Sequence, residues 1–174
     1  RNIRPWTPEE ETQIIMTPKD KQTTVFDSTS ITGSIVAMDS AYDVDERNRA
    51  RDICINASYC GVLPARFIAE HSPRGAIGMD CGIGPEGSAI AGLWYLEALA
   101  IPAAVADVMS AHLGNGVHLY EHGIISFANQ LALDTGVKAG MSVKEASHLM
   151  LEENLAQASA SEITNRTVME TSPD

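Results

Sequence analysis

The strongest constraint on the fold is a pattern that occurs four times. Residues 35–38 give way to Asp39-Ser40, residues 53–57 to Ser58-Tyr59-Cys60-Gly61, residues 76–79 to Asp80-Cys81-Gly82-Ile83-Gly84, and residues 103–108 to a turn holding Ser110. Each is a short apolar run that breaks into small, polar, nucleophile-capable residues. Short apolar runs alternating with helical segments are the signature of βα units in a parallel sheet. Parallel strands present their C-terminal ends at one edge, where open α/β proteins bind ligands. The expected fold is a small three-layer α/β domain with a mainly parallel sheet of four to five strands, doubly wound or flavodoxin-like.

The helical segments are placed by their own signals. Pro64 suits a first helical turn, and Leu63, Phe67 and Ile68 supply an apolar face for a helix ending near His71-Ser72-Pro73. A second helix is expected from about Gly87 to Leu99, with Ile90, Leu93, Trp94 and Leu96 available for burial. Ile124, Phe127, Ala128 and Leu131 follow a helical stripe that Gly136 stops. Ser142 with Glu145 three residues later is a capping-box pattern opening a last helix. Residues 1–30, rich in Pro and Thr, form an expected extended arm, although residues 23–26 suit a short edge strand. Residues 31–157 form the α/β domain and 158–174 a polar tail.

Composition narrows the partners. A chain of 174 residues with a formal charge of −11 is one acidic domain, without the clustered Lys and Arg of a nucleic-acid or anionic-membrane surface. Arg47, Arg49 and Arg51 lie among Asp43, Asp45, Glu46 and Asp52, which reads as a mixed-charge solvated face. Three cysteines, odd in number and with no secretory leader before them, favour a reducing compartment, with the cytoplasm as the expectation. The most apolar stretch, residues 89–111, is interrupted by Glu97, Pro102 and Asp107 and suits a helix, a turn and a buried strand rather than a membrane span. The apolar helices and the arm make a homo-oligomer the expected assembly.

Four motifs carry chemistry. Gly82-Ile83-Gly84-Pro85-Glu86-Gly87 matches G-x-G-x-x-G between a strand and a helix, where glycines let backbone amides approach a phosphate or carboxylate. Asp80 and Glu86 beside it are unfavourable to a phosphate, and glycines alone also serve a tight turn. Cys60 precedes a helix whose N-terminus would stabilise a thiolate, and Cys81 holds the equivalent place one strand on. Two thiols there would suit a nucleophile, an acid/base pair or a redox pair; Cys54, inside a strand, is packing. A caspase-like arrangement is excluded because Tyr59 stands where a general-base His is needed. Asp39 and Asp80 end strands and would face one another across the site if those strands are close. His118-Leu119-Tyr120-Glu121-His122 matches H-x-x-E-H, but in this context two surface histidines at a helix start are the better reading.

The sequence therefore points to a cofactor-independent enzyme of hydrolase, lyase or isomerase type, acting on a small anionic or amide-containing metabolite. Cys60, Asp80, Asp39, Ser58 and Cys81 are the candidate catalytic residues. Ser40, Gly61, Gly82, Gly84, Ser110 and His112 are the candidate ligand-binding residues, with no metal site and no cofactor expected. The alternatives are a nucleotide- or phosphate-binding module on the 82–87 turn and a structural subunit of a larger assembly.

Overall fold

In the computed structural model, which describes residues 23–29 and 33–161, the chain forms a six-stranded mixed sheet with helices on both faces. The strands are β1 (Thr23–Thr29), β2 (Gly33–Met38), β3 (Ile53–Tyr59), β4 (Gly75–Met79), β5 (Ala103–Ala106) and β6 (Ile125–Ala128). They lie in sequence order across the sheet. β2 to β5 run parallel, while β1 on β2 and β6 on β5 are antiparallel. The helices are α1 (Val62–His71), α2 (Gly92–Ala98), α3 (Gly116–His122), α4 (Gln130–Asp134) and α5 (Val143–Ser161).

Two corrections to the expected sheet follow. It is six-stranded and mixed, and its sequential order has no point at which strand order reverses, the reversal that defines doubly wound and flavodoxin-like sheets. The missed strand, β6, hides in the run Ile124, Phe127, Ala128, whose spacing also satisfies a helix. Over four residues, a period of 2 and a period of 3.6 cannot be told apart, and pairing with β5 decides the outcome. Of the expected arm, residues 1–22 and 30 lie outside the described residues, whereas Thr23–Thr29 form β1 at the sheet edge. The expected tail lies outside them from residue 162, and α5 runs to Ser161.

Sequential order dictates how the layers are built. Right-handed crossovers from β3 to β4 and from β4 to β5 put α1 and α2 on the same face. There Val36, Met38, Cys54, Ala76, Ala103 and Val105 pack with Ala65, Ile68, Leu93 and Leu96. The other face would be left bare. It carries the alternate residues Ile35, Ile53, Ile55, Ile77, Met79 and Ala104, and they pack with Leu119, Tyr120, Val143, Ala146 and Met150 from α3 and α5. To reach that face the chain must leave β5 and return toward β2, and this return positions the site.

The expectations for α1, α2 and α5 hold with shifts, whereas the helix expected on Ile124, Phe127, Ala128 and Leu131 is replaced by β6 and the five-residue α4. α1 buries Pro64, Ala65 and Ile68 but leaves Leu63 exposed, so its inward face is rotated from the predicted one. α2 begins at Gly92 after a short turn at Pro85–Gly87, burying Leu93 and Leu96 and exposing Trp94. Ser142 Oγ accepts from Glu145 N–H at 3.1 Å at the start of α5. The mixed-charge face between β2 and β3 is solvated except at Asp52, which is buried and accepts from Ser34 N–H at 3.0 Å and from Asn48 Nδ2 at 2.9 Å. Arg47 pairs with Asp45 and Arg49 with Glu46, and hydrogen bonds from Arg49 and His71 pull the Glu46 carboxyl down to about 2. Among the described residues no helix is long and apolar enough to cross a membrane.

Candidate functional site

Because β2 to β5 are parallel and adjacent, their C-terminal ends bring Asp39, Ser40, Ser58, Cys60, Asp80, Cys81 and the 107–110 turn to one edge of the sheet. The edge is partly roofed. Segment 107–116 leaves β5, is held at the end of β4 by Val108 N–H donating to Asp80 Oδ1 at 3.1 Å, and meets β3 where Gly114 N–H donates to Ala57 O at 3.0 Å. It reaches β2 where Gly116 N–H donates to Asp39 Oδ1 at 3.0 Å. A Cβ at Gly116 would collide with the backbone of Met38, so only glycine lets α3 start this close to β2. Sequence reasoning missed this crossing, whose traces were two glycines and an Asn cap, because the hydrogen bonds that define it join residues up to 77 positions apart.

The two carboxylates do not form a dyad. β3 lies between β2 and β4, which separates the backbones at Asp39 and Asp80 by about 10 Å, two strand spacings. Asp80 is buried and engaged at both oxygens: Oδ1 accepts from Gly82 and Val108 N–H, and Oδ2 from Ser126 Oγ at 2.8 Å. It ties the ends of β4, β5 and β6 together. Ser126 was missed because its segment read as helix. Asp39 is half-buried and holds the Gly116 amide.

The two thiols do not form a pair either. Cys60 is buried in the α1/α2 core, whereas Cys81 packs against the α3/α5 core on the opposite face of the sheet. Burial pushes the Cys60 thiol up to about 12, the reverse of the lowered value expected at the start of α1. Desolvation exceeds any help from the helix N-terminus there. Cys81 is half-exposed, and its thiol is raised by burial and by the Asp80 carboxylate. Its φ of +43° is in the left-handed region that L residues avoid, and Ile83, a β-branched residue, follows at +69°. Strain of this kind persists only where the surroundings over-determine it.

The 82–87 turn is not an open amide cradle. Gly82 N–H donates to Asp80 Oδ1, Ile83 N–H to Asp80 O, Gly84 N–H to Gly82 O and Gly87 N–H to Gly84 O. The glycines serve the left-handed turn itself, with Gly82, Gly84 and Gly87 all at φ between 71° and 75°. Gly61 caps α1 without a side-chain bond, so the first amides of that ten-residue helix meet the edge with no capping side chain.

The remaining candidates are structural neighbours of the edge. Ser40 Oγ accepts from Tyr42 N–H and Ser58 Oγ from Ala41 N–H, fixing the turn after β2. Ser110 Oγ donates to Asp107 O and accepts from Ile124 N–H. His112 is exposed, and its ring stacks on His118 at 3.8 Å. Among the described residues no three His, Cys, Asp or Glu side chains are placed to hold a metal ion. The chain was compared with protein-family models, curated proteins and solved structures, and none of them matches it. Its functional reading therefore rests on its own residues.

Proposed function

We propose that the C-terminal edge of the sheet is the active site of an enzyme acting on a small anionic or amide-containing metabolite without a redox cofactor. Within the hydrolase, lyase and isomerase types, the arrangement favours proton transfer, as in a lyase or isomerase. The observation that carries this reading is Cys81: a half-exposed thiol at a strand end, held at positive φ ahead of an equally strained Ile83. Raised by burial and by Asp80, that thiol is protonated at neutral pH and acts as a proton donor. Asp39 at the end of β2, separated by β3 from the strand end that carries Cys81, is the base, and a small metabolite spans the gap. Asp80 is a positioning residue because its oxygens are spent on the turn that carries Cys81. The anionic preference follows from the uncapped N-terminus of α1 at the same edge.

The test joins reactivity to turnover. Chloroacetamide with peptide mapping is expected to label Cys81 in the folded protein and to spare Cys54 and Cys60. A panel of small hydroxy acids, amino acids and amides is then screened by NMR for proton exchange with deuterated water or for elimination. The activity found is expected to fall at least 100-fold in Cys81→Ala and in Asp39→Asn, a size typical of losing a general acid or base. A Cys81 protected as fully as Cys54, or turnover indifferent to both substitutions, overturns the reading.

A further inference from the structure

Three imidazoles lie in contact where segment 107–116 turns into α3. The rings of His112 and His118 are 3.8 Å apart and nearly parallel, and those of His118 and His122 are 4.4 Å apart. The backbone N–H of His112 donates to His118 Nδ1 at 3.3 Å, so Nδ1 offers its lone pair and the ring proton sits on Nε2. The same short stretch carries the bonds that hold the segment on the strand ends, from Gly114 to Ala57 and from Gly116 to Asp39.

We propose that this stack is a pH-sensitive latch: a proton from solvent binding His118 Nδ1 at mildly acidic pH releases segment 112–116 from the strand ends and uncovers the C-terminal edge. Protonation removes the acceptor of the His112 amide and places a cation between two other imidazoles. Burial, then His112 and then His122, lower His118 from its ordinary value, against the opposing pull of Glu121. On the elements packed around α3, α5 carries Lys144, Glu145, His148, Glu152 and Glu153, with the Lys144 ammonium 5.9 Å from the Tyr120 ring. β2 ends at Asp39 on the Gly116 amide, and β3 carries no Asp, Glu, Lys, Arg or His. The sign follows from linkage. A histidine lowered in the closed form takes up its proton more readily once opened, so the closed form loses ground as pH falls below about 6.5 and holds above it. The latch governs access to the edge whatever reaction occurs there.

The test is amide hydrogen exchange on the full chain at pH 5.5, 6.5 and 7.5, corrected for intrinsic exchange. This window stays above the ordinary carboxylate range of about 4. The amides of His112, Gly114, Asn115 and Gly116 are expected to lose protection several-fold between pH 7.5 and 5.5, while those of β3 and β4 keep theirs. His118→Gln retains an acceptor but cannot titrate, and is expected to abolish the pH dependence. His112 is exposed, so His112→Ala keeps the fold, and removing one of the groups that disfavour a proton on His118 is expected to shrink the loss of protection at pH 5.5. Flat protection across the window, loss shared equally with β3 and β4, an unaltered pH response in His118→Gln, or an undiminished loss in His112→Ala overturns the latch.

Discussion

Asn129, between β6 and α4, offers a sharp test of what joins the start of β5 to the helices. It is only 3% exposed, yet it makes four hydrogen bonds. Oδ1 accepts from Ala103 and Ala132 N–H, both at 3.0 Å, and Nδ2 donates to Leu93 O at 3.2 Å and Ile101 O at 3.0 Å. One amide thus ties α2, β5 and α4 together. All four partner residues are themselves at most 4% exposed, so water has poor access to the groups that Asn129→Ala would strand. The lost cap on α4 costs about 1 kcal/mol. Stranded buried groups cost about 1–3 kcal/mol each, and even if only two stay dry the total with the cap is about 3–7 kcal/mol. For a domain of this size that lowers Tm by roughly 10–20 °C.

The companion variant Asn129→Asp keeps both acceptor bonds but turns an oxygen toward the two carbonyls. Those carbonyls and burial hold the introduced carboxyl above its ordinary value, so its deficit relative to the parent protein is largest at neutral pH and shrinks as pH falls through that raised value. Urea melts of the three proteins at pH 7 and pH 5 decide the matter. A cost below about 1 kcal/mol for Asn129→Ala, or an Asn129→Asp variant as stable as the parent at pH 7, would refute the reasoning.

Two further outcomes follow from the packing. Gly116→Ala drives a methyl into the Met38 backbone, and since backbone gives way less readily than a side chain, a loss of about 3 kcal/mol is expected. Faster exchange of the α3 amides in that variant would localise the damage, and an unchanged melt would contradict the close approach. Cys60, pushed up to about 12 by burial, holds only about one thiolate in ten thousand at pH 8. Its alkylation in the folded protein is therefore expected to be negligible at pH 8 and to rise only in strongly alkaline solution, and rapid labelling at pH 7 would show the site to be open.

Much of the sheet was legible because it is encoded locally. Ile35, Ile53, Ile77 and Val105 each sit in a short apolar run that must be buried, and each run ends in residues suited to a turn. From those runs alone, parallel strands and a shared C-terminal edge bearing Asp39, Cys60, Asp80 and Cys81 could be inferred. Strand order could not be, because an apolar run does not state its neighbour. The gap between Asp39 and Asp80 therefore stayed open until β3 was found between them.

The amino-acid sequence by itself determined which strand-end residues reach the edge, since alternation and turn chemistry act within a few positions of each other; Ser126 and the crossing at Gly114 and Gly116 came only with the fold. Only the tertiary structure decided what those residues can do there. Cys60 and Cys81 look equivalent along the chain, but burial and the two faces of the sheet separate them. The 82–87 glycines look like an anion cradle, but their amides turn inward onto Asp80 and onto one another. Solvation, charge proximity and hydrogen-bond competition are properties of groups brought together across the fold, and a linear order of residues does not specify them.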